Sequence, residues 1–383
     1  MKSIRTTLLS VALLLCMALV GQAQRSAAPS WVLGPAVRSP EVHPDKRVTF
    51  RITAPNAKEV GVNCSAFGGK AMVKGEKGVW EYTSAPLEPD YYTYNLVVDG
   101  AILIDPANTD MKSSLLGSGE SVVHVPGSSS LSWELNATPH GAIHHHLYKS
   151  EIIGDERDFY VYTPPGYEAN RSEKYPVLYL MHGLTDDASA WATHGREGVI
   201  LDNLIAQGKA KPMIIVNTLG YGMPDPGRNL AMLFDAPVRD KTLEKFTSSV
   251  LDEVIPFVEK GYRARKDRNS RAIAGLSMGG AQSLMIGLNH LDKFAYIGSF
   301  SGAFIMLNSH EKVFPNLSEK SNEKIKALWI ACGKEDFLIG SNRATEKWLK
   351  SKGVNATTIE TPGAHTWMVW RRNLTEFAPL LFR

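Results

Sequence analysis

The sequence has few cysteines, no excess of either charge and no nucleotide-binding motif. Three of its 383 residues are cysteines, Cys16, Cys64 and Cys332, and their spacing suits neither a zinc site nor a disulfide-rich scaffold. Lys and Arg number 42 against 39 Asp and Glu, so the composition gives no support to nucleic-acid binding. Neither a phosphate-binding loop nor a dinucleotide-binding glycine pattern occurs. We therefore expect no cofactor and no bound metal.

The one long apolar run lies at residues 8–20, after two basic residues and before the small residues that end at Ala23. This pattern predicts a secretory signal peptide over residues 1–23, cleaved near Ala23. The run is too short for a comfortable membrane span. Leu15 precedes Cys16, whereas a lipid-anchored protein needs a small residue there. We expect an exported protein, periplasmic or secreted, with no membrane anchor. Cys64 and Cys332 then remain, and two buried free thiols are favoured over a disulfide.

Short strands dominate residues 31–126. Aromatic and β-branched residues partly alternate there, and Gly, Pro, Asn and Asp separate the runs, which predicts a small immunoglobulin-like β-sandwich. Asp99-Gly100 is a signal for a tight turn between two strands. Residues 127–146 are rich in Gly, Ser, Pro and Asn, and we interpret them as a linker.

Strand and helix patterns alternate over residues 147–383. Nearly unbroken apolar runs such as YPVLYLM and PMIIVNT are typical of strands that are buried on both faces. Amphipathic helical segments lie between them. The alternation predicts an α/β fold with a mostly parallel central sheet that helices cover on both sides.

Gly275-Leu276-Ser277-Met278-Gly279 follows an apolar strand and precedes a helix. This is the G-x-S-x-G nucleophile-elbow pattern, in which a strained turn exposes the serine hydroxyl and small neighbours avoid a steric clash. The amide of Met278, at the start of the helix, is a candidate donor to a developing oxyanion. A glycine-rich turn with an incidental serine is the alternative.

Two partners for the serine are expected at later strand ends. His365 follows the strand pattern ATTIETPG and is the candidate base that accepts the serine proton. Asp336 follows WIACGKE and is the candidate carboxylate that orients the histidine, with Glu335 in reserve. The order Ser277, Asp336, His365 is the chain order of the α/β-hydrolases.

The turn after an earlier strand, in LMHGLTDD, supplies the second oxyanion donor, which we assign to the amide of Leu184. We expect His182 to be a structural residue beneath the site. Trp191, Tyr221 and Trp367 are candidates for substrate contact, although each could equally pack within its own loop.

His144, His145 and His146 form a tract that suggests metal binding. Successive side chains of an extended segment point to opposite faces, so one ion cannot easily bind all three. We expect the tract to be solvent-exposed and metal-free.

Residues 147–383 resemble the esterase D and feruloyl esterase group, carbohydrate esterase family 1. The similarity lies in five segments: RDFYVYTPPGYE, YPVLYLMHGLTDDASAW, GLSMGGAQSL, GKEDF and GAHTWMVWRRNL. The N-terminal part, with RVTFRITAPNAKEVGV and GVWEYTSAPLEPDYYTYNLVVDG, resembles the early-set β-sandwich related to carbohydrate-binding family 48.

This resemblance implies a cofactor-free serine esterase that removes feruloyl or acetyl groups from a plant polysaccharide such as arabinoxylan. An esterase of a catecholate siderophore is an alternative, for which Arg371 and Arg372 are the obvious cations near the site. An acyltransferase of the same fold is another alternative. The complete set of Ser277, Asp336 and His365 argues against a non-catalytic carbohydrate-binding protein. The sequence does not indicate an oligomeric state.

Overall fold

The computed structural model describes residues 37–117, 119–302 and 310–383. The predicted signal peptide at residues 1–23 and the first residues of the predicted sandwich, 31–36, lie outside the described residues. None of the helices in the described ranges is long and apolar enough to cross a bilayer.

Two antiparallel sheets form an N-terminal sandwich over residues 41–125. The sheets have the orders β1-β2-β6-β5 and β4-β3-β7-β10-β9, and β8 pairs with β7. Side chains from both sheets enclose one apolar core, in which the rings of Phe50 and Tyr94 lie 4.7 Å apart. The strands are β1 (Glu41–Val42), β2 (Val48–Thr53), β3 (Val60–Cys64), β4 (Gly68–Ala71), β5 (Val73–Lys74), β6 (Val79–Thr83), β7 (Asp90–Val98), β8 (Ala101–Leu103), β9 (Met111–Lys112) and β10 (Glu120–Val125).

Asp99 and Gly100 connect β7 to β8, as the sequence predicts. Val98 pairs with Ala101, so the loop has two residues, and both adopt positive φ (46° and 84°). That conformation matches the twist of a tight hairpin and favours Asp-Gly.

An eight-stranded sheet forms the centre of the α/β region, residues 142–383. Its order is β11-β12-β14-β13-β15-β16-β17-β18, and every pair from β14 onward is parallel. The mostly parallel sheet of the predicted fold is confirmed. The strands are β11 (Ala142–Lys149), β12 (Glu156–Thr163), β13 (Val177–Met181), β14 (Ile214–Thr218), β15 (Arg271–Leu276), β16 (Tyr296–Phe300), β17 (Ala327–Gly333) and β18 (Thr357–Thr361).

The predicted linker, 127–146, extends too far, because residues 142–146 belong to β11. This edge strand pairs antiparallel with β12 over its whole length. Its Ala and His residues have little preference for β-strands. The strand forms because of its hydrogen bonds to β12, which the local sequence does not indicate.

Helices cover both faces of this sheet. A π-helical turn at Val250–Val254 joins α3 to α4, so that the two form one long helix. The α-helices are α1 (Glu197–Ala206), α2 (Pro226–Asn229), α3 (Ala236–Ser249), α4 (Ile255–Gly261), α5 (Met278–Asn289), α6 (His310–Val313), α7 (Ile339–Ser351) and α8 (Trp367–Phe377). Single turns of 3-10 or π helix lie at Glu76–Gly78, Trp191–Gly195, Leu230–Phe234, Arg268–Ser270, Glu319–Glu323 and Ala378–Leu380.

A buried ion pair joins the N-terminal sandwich to the α/β region. The Arg371 guanidinium on α8 donates to Asp90 Oδ1 on β7 at 2.6 and 3.0 Å, and neither side chain is exposed. It also donates to the main-chain oxygens of Tyr91 and His194, at 2.7 and 2.8 Å. One cation on α8 thereby binds acceptors on β7 and on the Trp191–Gly195 turn.

Cys64 and Cys332 are free and buried, as predicted. Burial raises the pKa of the Cys64 thiol to about 11, so this thiol is not poised for nucleophilic chemistry at neutral pH.

Replacing Arg371 tests how strongly the two parts are joined. Arg371→Met leaves the Asp90 carboxylate buried without its partner, which should lower the free energy of unfolding by about 3–5 kcal/mol. Urea unfolding followed by circular dichroism measures the change. Arg343→Met is the control, because it removes an exposed ion pair with Glu360 and should leave stability unchanged. Equal, small effects of both variants would show that the Arg371 pair does not join the two parts.

Candidate active site

Ser277 occupies a strained turn between β15 and α5, with φ 51° and ψ −117°. The backbone is close-packed here. A Cβ added at Gly275 would lie 2.6 Å from the Gly279 carbonyl, and one added at Gly279 would lie 2.5 Å from the oxygen of His182. The two glycines therefore permit the tight turn in which the serine side chain points away from the strand, as the G-x-S-x-G pattern predicts.

The start of α5 provides an amide beside the serine. Met278 is the first helical residue, so its N–H has no acceptor within the helix and lies at the positive end of the helix dipole. The preceding amide, that of Ser277, donates to Phe300 O at 2.8 Å and ties the turn to β16.

His365 connects the serine to a carboxylate. Its Nε2 lies 2.9 Å from Ser277 Oγ, and its Nδ1 lies 2.9 Å from Asp336 Oδ2. Phe337 and Trp370 flank the imidazole at 4.7 and 4.9 Å between ring centres. The aromatic contacts and the hydrogen bond to Asp336 fix the ring so that Nε2 can accept the serine proton.

Of the two candidate carboxylates, Asp336 is the one that reaches His365. Asp336 is 2% exposed, and its Oδ1 accepts the Leu338 N–H at 2.8 Å. Burial opposes its ionisation, but hydrogen bonds from His365 and the Leu338 amide outweigh burial and lower the pKa of this carboxyl. Glu335 is exposed and accepts the Gly363 N–H at 2.5 Å instead.

The loop of residues 183–187, hereafter the 183–187 loop, lies against the serine. A Cβ at Gly183 would lie 3.5 Å from Ser277 Cβ, and Leu184 lines both clefts that open at the serine. His182 lies beneath, as expected: Nδ1 donates to Gly183 O, and Nε2 accepts the Gly220 N–H, each at 2.8 Å. Burial lowers the pKa of His182 to about 4, so the imidazole stays neutral.

Two clefts open at Ser277 on different sides. The apolar cleft, about 240 Å³, is lined mainly by apolar side chains, among them Leu233, Phe234, Ala281, Met285 and Phe337. The polar cleft, about 390 Å³, lies between the α/β region and the N-terminal sandwich. The sandwich contributes five residues to its lining: Ser65, Tyr91, Thr93, Lys112 and Glu120.

Of the three predicted substrate-contact residues, Trp191 is wrong in that role, because it lines neither cleft. Trp191 is fully buried, and its indole N–H donates to Met181 O at 3.0 Å. Tyr221 lines the apolar cleft although it is only 1% exposed, and its hydroxyl donates to Asp186 O at 3.2 Å and so supports the 183–187 loop. Its contact with substrate stays a prediction. Both rings pack inside the fold because their polar atoms find main-chain acceptors there. Trp367 does border the polar cleft, while packing edge-on against Trp191 at 5.0 Å.

Several residues of the two clefts were not predicted from the sequence. Phe234 and Phe337 are 65% and 75% exposed at the apolar cleft, and an aromatic residue next to Asp336 was an available signal. Lys112 and Tyr91 reach the polar cleft from the sandwich, and nothing in their local sequence indicates this.

The histidine tract lies on β11 and alternates in exposure, with His145 exposed and its two neighbours half-buried. His145 Nε2 lies 2.9 Å from Asp158, and His146 hydrogen-bonds to Tyr262. Within the described residues no group of His, Cys, Asp and Glu side chains is arranged to hold a metal ion.

The chain is similar to esterases. The family model Esterase matches residues 150–381. An endo-1,4-beta-xylanase/feruloyl esterase of Xylanibacter ruminicola is 32% identical over 357 residues, which is 91% of this chain and 46% of that protein. The chain thus spans less than half the length of this relative.

Two groups of solved structures share the fold. A ferulic acid esterase of Anaeromyces mucronatus, solved with ferulic acid, has a TM-score of 0.59 at 23% identity and covers 67% of this chain and 96% of its own. The enterobactin esterase of Shigella flexneri has a TM-score of 0.66 at 18% identity and covers 91% of this chain and 98% of its own. Such low identities show the α/β-hydrolase fold alone.

The contrast between Asp336 and Glu335 gives a test of the site. Asp336→Asn should lower kcat for 4-nitrophenyl acetate by about 10⁴-fold, because an amide no longer fixes the histidine tautomer or stabilises its cation. Glu335→Gln, one residue away and exposed, should change kcat by less than about threefold, as expected of a surface substitution. Steady-state kinetics measure both. The reverse ranking would assign the carboxylate role to Glu335.

Proposed function

The chain belongs to the Esterase family, and from that premise we propose that it is a serine esterase that removes feruloyl-type groups from plant cell-wall polysaccharide. The observation that carries the proposal is the hydrogen-bonded series Ser277, His365, Asp336 at the mouth of an apolar cleft. The relationship to a xylanase/feruloyl esterase supports the choice of substrate class.

The geometry supports a two-step reaction. His365 Nε2 takes the proton of Ser277 Oγ while this oxygen attacks the ester carbonyl carbon. The amides of Leu184 and Met278 then stabilise the tetrahedral oxyanion. Collapse of the intermediate breaks the bond to the sugar oxygen, which receives the proton from His365. Water, activated by the same imidazole, hydrolyses the acyl-enzyme and releases the acid.

The apolar cleft suits an aromatic acyl group. Its lining offers the exposed rings of Phe234 and Phe337 and the apolar surfaces of Met285 and Leu243, well suited to a flat hydrophobic group. An acetyl group would leave most of this volume unfilled. We therefore favour feruloyl over acetyl esters.

The polar cleft suits the sugar side of the ester. It meets the apolar cleft at Ser277 and is bordered by His365 and by the indole of Trp367, with hydroxyl groups of Ser65 and Thr93 on the sandwich side. Hydroxyl donors next to aromatic faces are groups that can contact a sugar. In this proposal the N-terminal sandwich helps to bind the substrate.

The siderophore alternative needs unpaired cations at the site, but Arg239 of the apolar cleft lies 3.6 Å from Asp240. Arg371 is buried in its pair with Asp90, and it is not directed toward an anionic substrate. Lys112 in the polar cleft is already neutralised by Asp186 and Glu120, at 2.5 and 3.4 Å. An iron-loaded catecholate would meet little net positive charge here.

We also propose export after cleavage near Ala23, since xylan is an extracellular polymer and residues 1–23 have the signal-peptide pattern.

Acyl transfer is disfavoured because both clefts are open to solvent, so water can reach the acyl-enzyme.

Removing the nucleophile tests the mechanism and the substrate together. Ser277→Ala should lower kcat for methyl ferulate by roughly 10⁶-fold while the folded state persists. The wild-type protein is compared on methyl ferulate, acetylated xylan and a catecholate siderophore, with product acids measured by chromatography. Feruloyl release should have the highest kcat/KM. Preference for the siderophore would overturn the proposed substrate, and full activity of the variant would overturn the mechanism.

Filling the apolar cleft tests its role as the acyl site. Ala281 lies on α5 and lines this cleft, so Ala281→Phe should lower kcat/KM for methyl ferulate by about 10- to 100-fold. Turnover of 4-nitrophenyl acetate, whose acyl group needs little space, should change by less than about threefold and serves as the internal control. Parallel loss on both substrates would show that the cleft does not bind the acyl group.

A further inference from the structure

We propose that the N-terminal sandwich positions the 183–187 loop for catalysis, and that Lys112 is a positioning residue that acts through Asp186. The inference rests on the proposed function, because it takes the Leu184 amide as an oxyanion donor. It assigns to the sandwich a part in the chemical step in addition to any contact with the sugar.

The 183–187 loop needs external support. Thr185 adopts φ +74°, a conformation that is unfavourable for a β-branched residue. This strained residue directly follows Leu184, so holding Thr185 in place restrains the short loop that carries the Leu184 amide. Within the α/β region the Tyr221 hydroxyl supports the loop from below through Asp186 O.

The sandwich holds the strained residue directly. The Leu115 amide donates to Thr185 O at 2.8 Å, and Ser114 Oγ donates to the same oxygen at 3.3 Å. Ser113 Oγ donates to the Asp187 carboxylate. Three consecutive residues that follow β9 thus contact the loop that carries the oxyanion amide.

A buried ion pair lies beside these hydrogen bonds. Lys112 Nζ is 2.5 Å from Asp186 Oδ1, and the two side chains are 5% and 7% exposed. Asp186 Oδ2 in turn lies 3.5 Å from where a Gly183 Cβ would stand. The ion pair therefore reaches the backbone that turns toward Ser277.

The energetics of this pair favour a positioning role over a stabilising one. Burial raises the pKa of Asp186 to about 6 even though Lys112 and its hydrogen bond oppose the change. Desolvation of buried ions commonly offsets their attraction, so such a pair adds little net stability. Its contribution in this proposal is to fix the position of the loop backbone. An oxyanion donor needs a fixed position, because it stabilises the oxyanion only when the amide nitrogen lies near 3 Å from that oxygen.

Lys112→Met tests the role, since it keeps most of the length of the side chain and removes the charge. Loss of one oxyanion donor costs 10²–10³ in kcat, so its misplacement should lower kcat for 4-nitrophenyl acetate by about 10- to 100-fold with KM nearly unchanged. The inhibition constant of an aryl trifluoromethyl ketone, which forms an oxyanion on the serine, should rise by the same factor. Arg51→Met is the matched control, because it removes a sandwich ion pair with Glu41 and Glu81 that does not contact the loop.

The combined variant Lys112→Met/Asp186→Asn should be no slower than Lys112→Met alone, because both substitutions break the same pair. If Lys112→Met fails to fold, Ser113→Ala/Ser114→Ala, at less buried positions, should lower kcat by about three- to tenfold at unchanged KM. An effect on KM alone, an unchanged inhibition constant or an equal loss in Arg51→Met would overturn the positioning role. Failure of the wild type to bind the ketone would refute the proposed function instead.

Discussion

The close approach of β15 and α5 is the constraint on which the rest of the site depends. Gly275 and Gly279 allow backbone contact at distances that no Cβ would tolerate, and Ser277 is held at positive φ between them. That single turn presents the hydroxyl and places the Met278 amide at the start of a helix. A hydroxyl on a regular strand would have no such amide beside it.

The two halves of the molecule meet at this turn. The Arg371–Asp90 pair fixes the sandwich to α8, and the polar cleft between the halves opens at the serine. Residues after β9 also contact the 183–187 loop. The N-terminal sandwich is thus continuous with the site, and we interpret it as part of the catalytic machinery and not as a tethered module.

The features of the fold and site that could be predicted are those that leave a local pattern in the sequence. Ser277, Asp336 and His365 follow the parallel strands β15, β17 and β18, and parallel strand ends converge at one edge of a sheet, so their meeting could be predicted. The burial of Trp191 away from both clefts could not be predicted, because an aromatic residue in a loop has the same local pattern whether it packs inward or faces substrate. Strand β11 and the reach of Lys112 across the interface depend on tertiary contacts that no local pattern contains. The signal peptide, the catalytic roles and the sugar-binding role of the sandwich stay predictions.

Covalent labelling of the serine tests the central claim most directly. An aryl phosphonate reacts with a serine that an adjacent histidine activates. We predict stoichiometric loss of esterase activity with one adduct per chain, mapped by peptide mass spectrometry to Ser277 and slowed by ferulate in the apolar cleft. Labelling at another residue, or full activity after prolonged exposure to the phosphonate, would contradict the account.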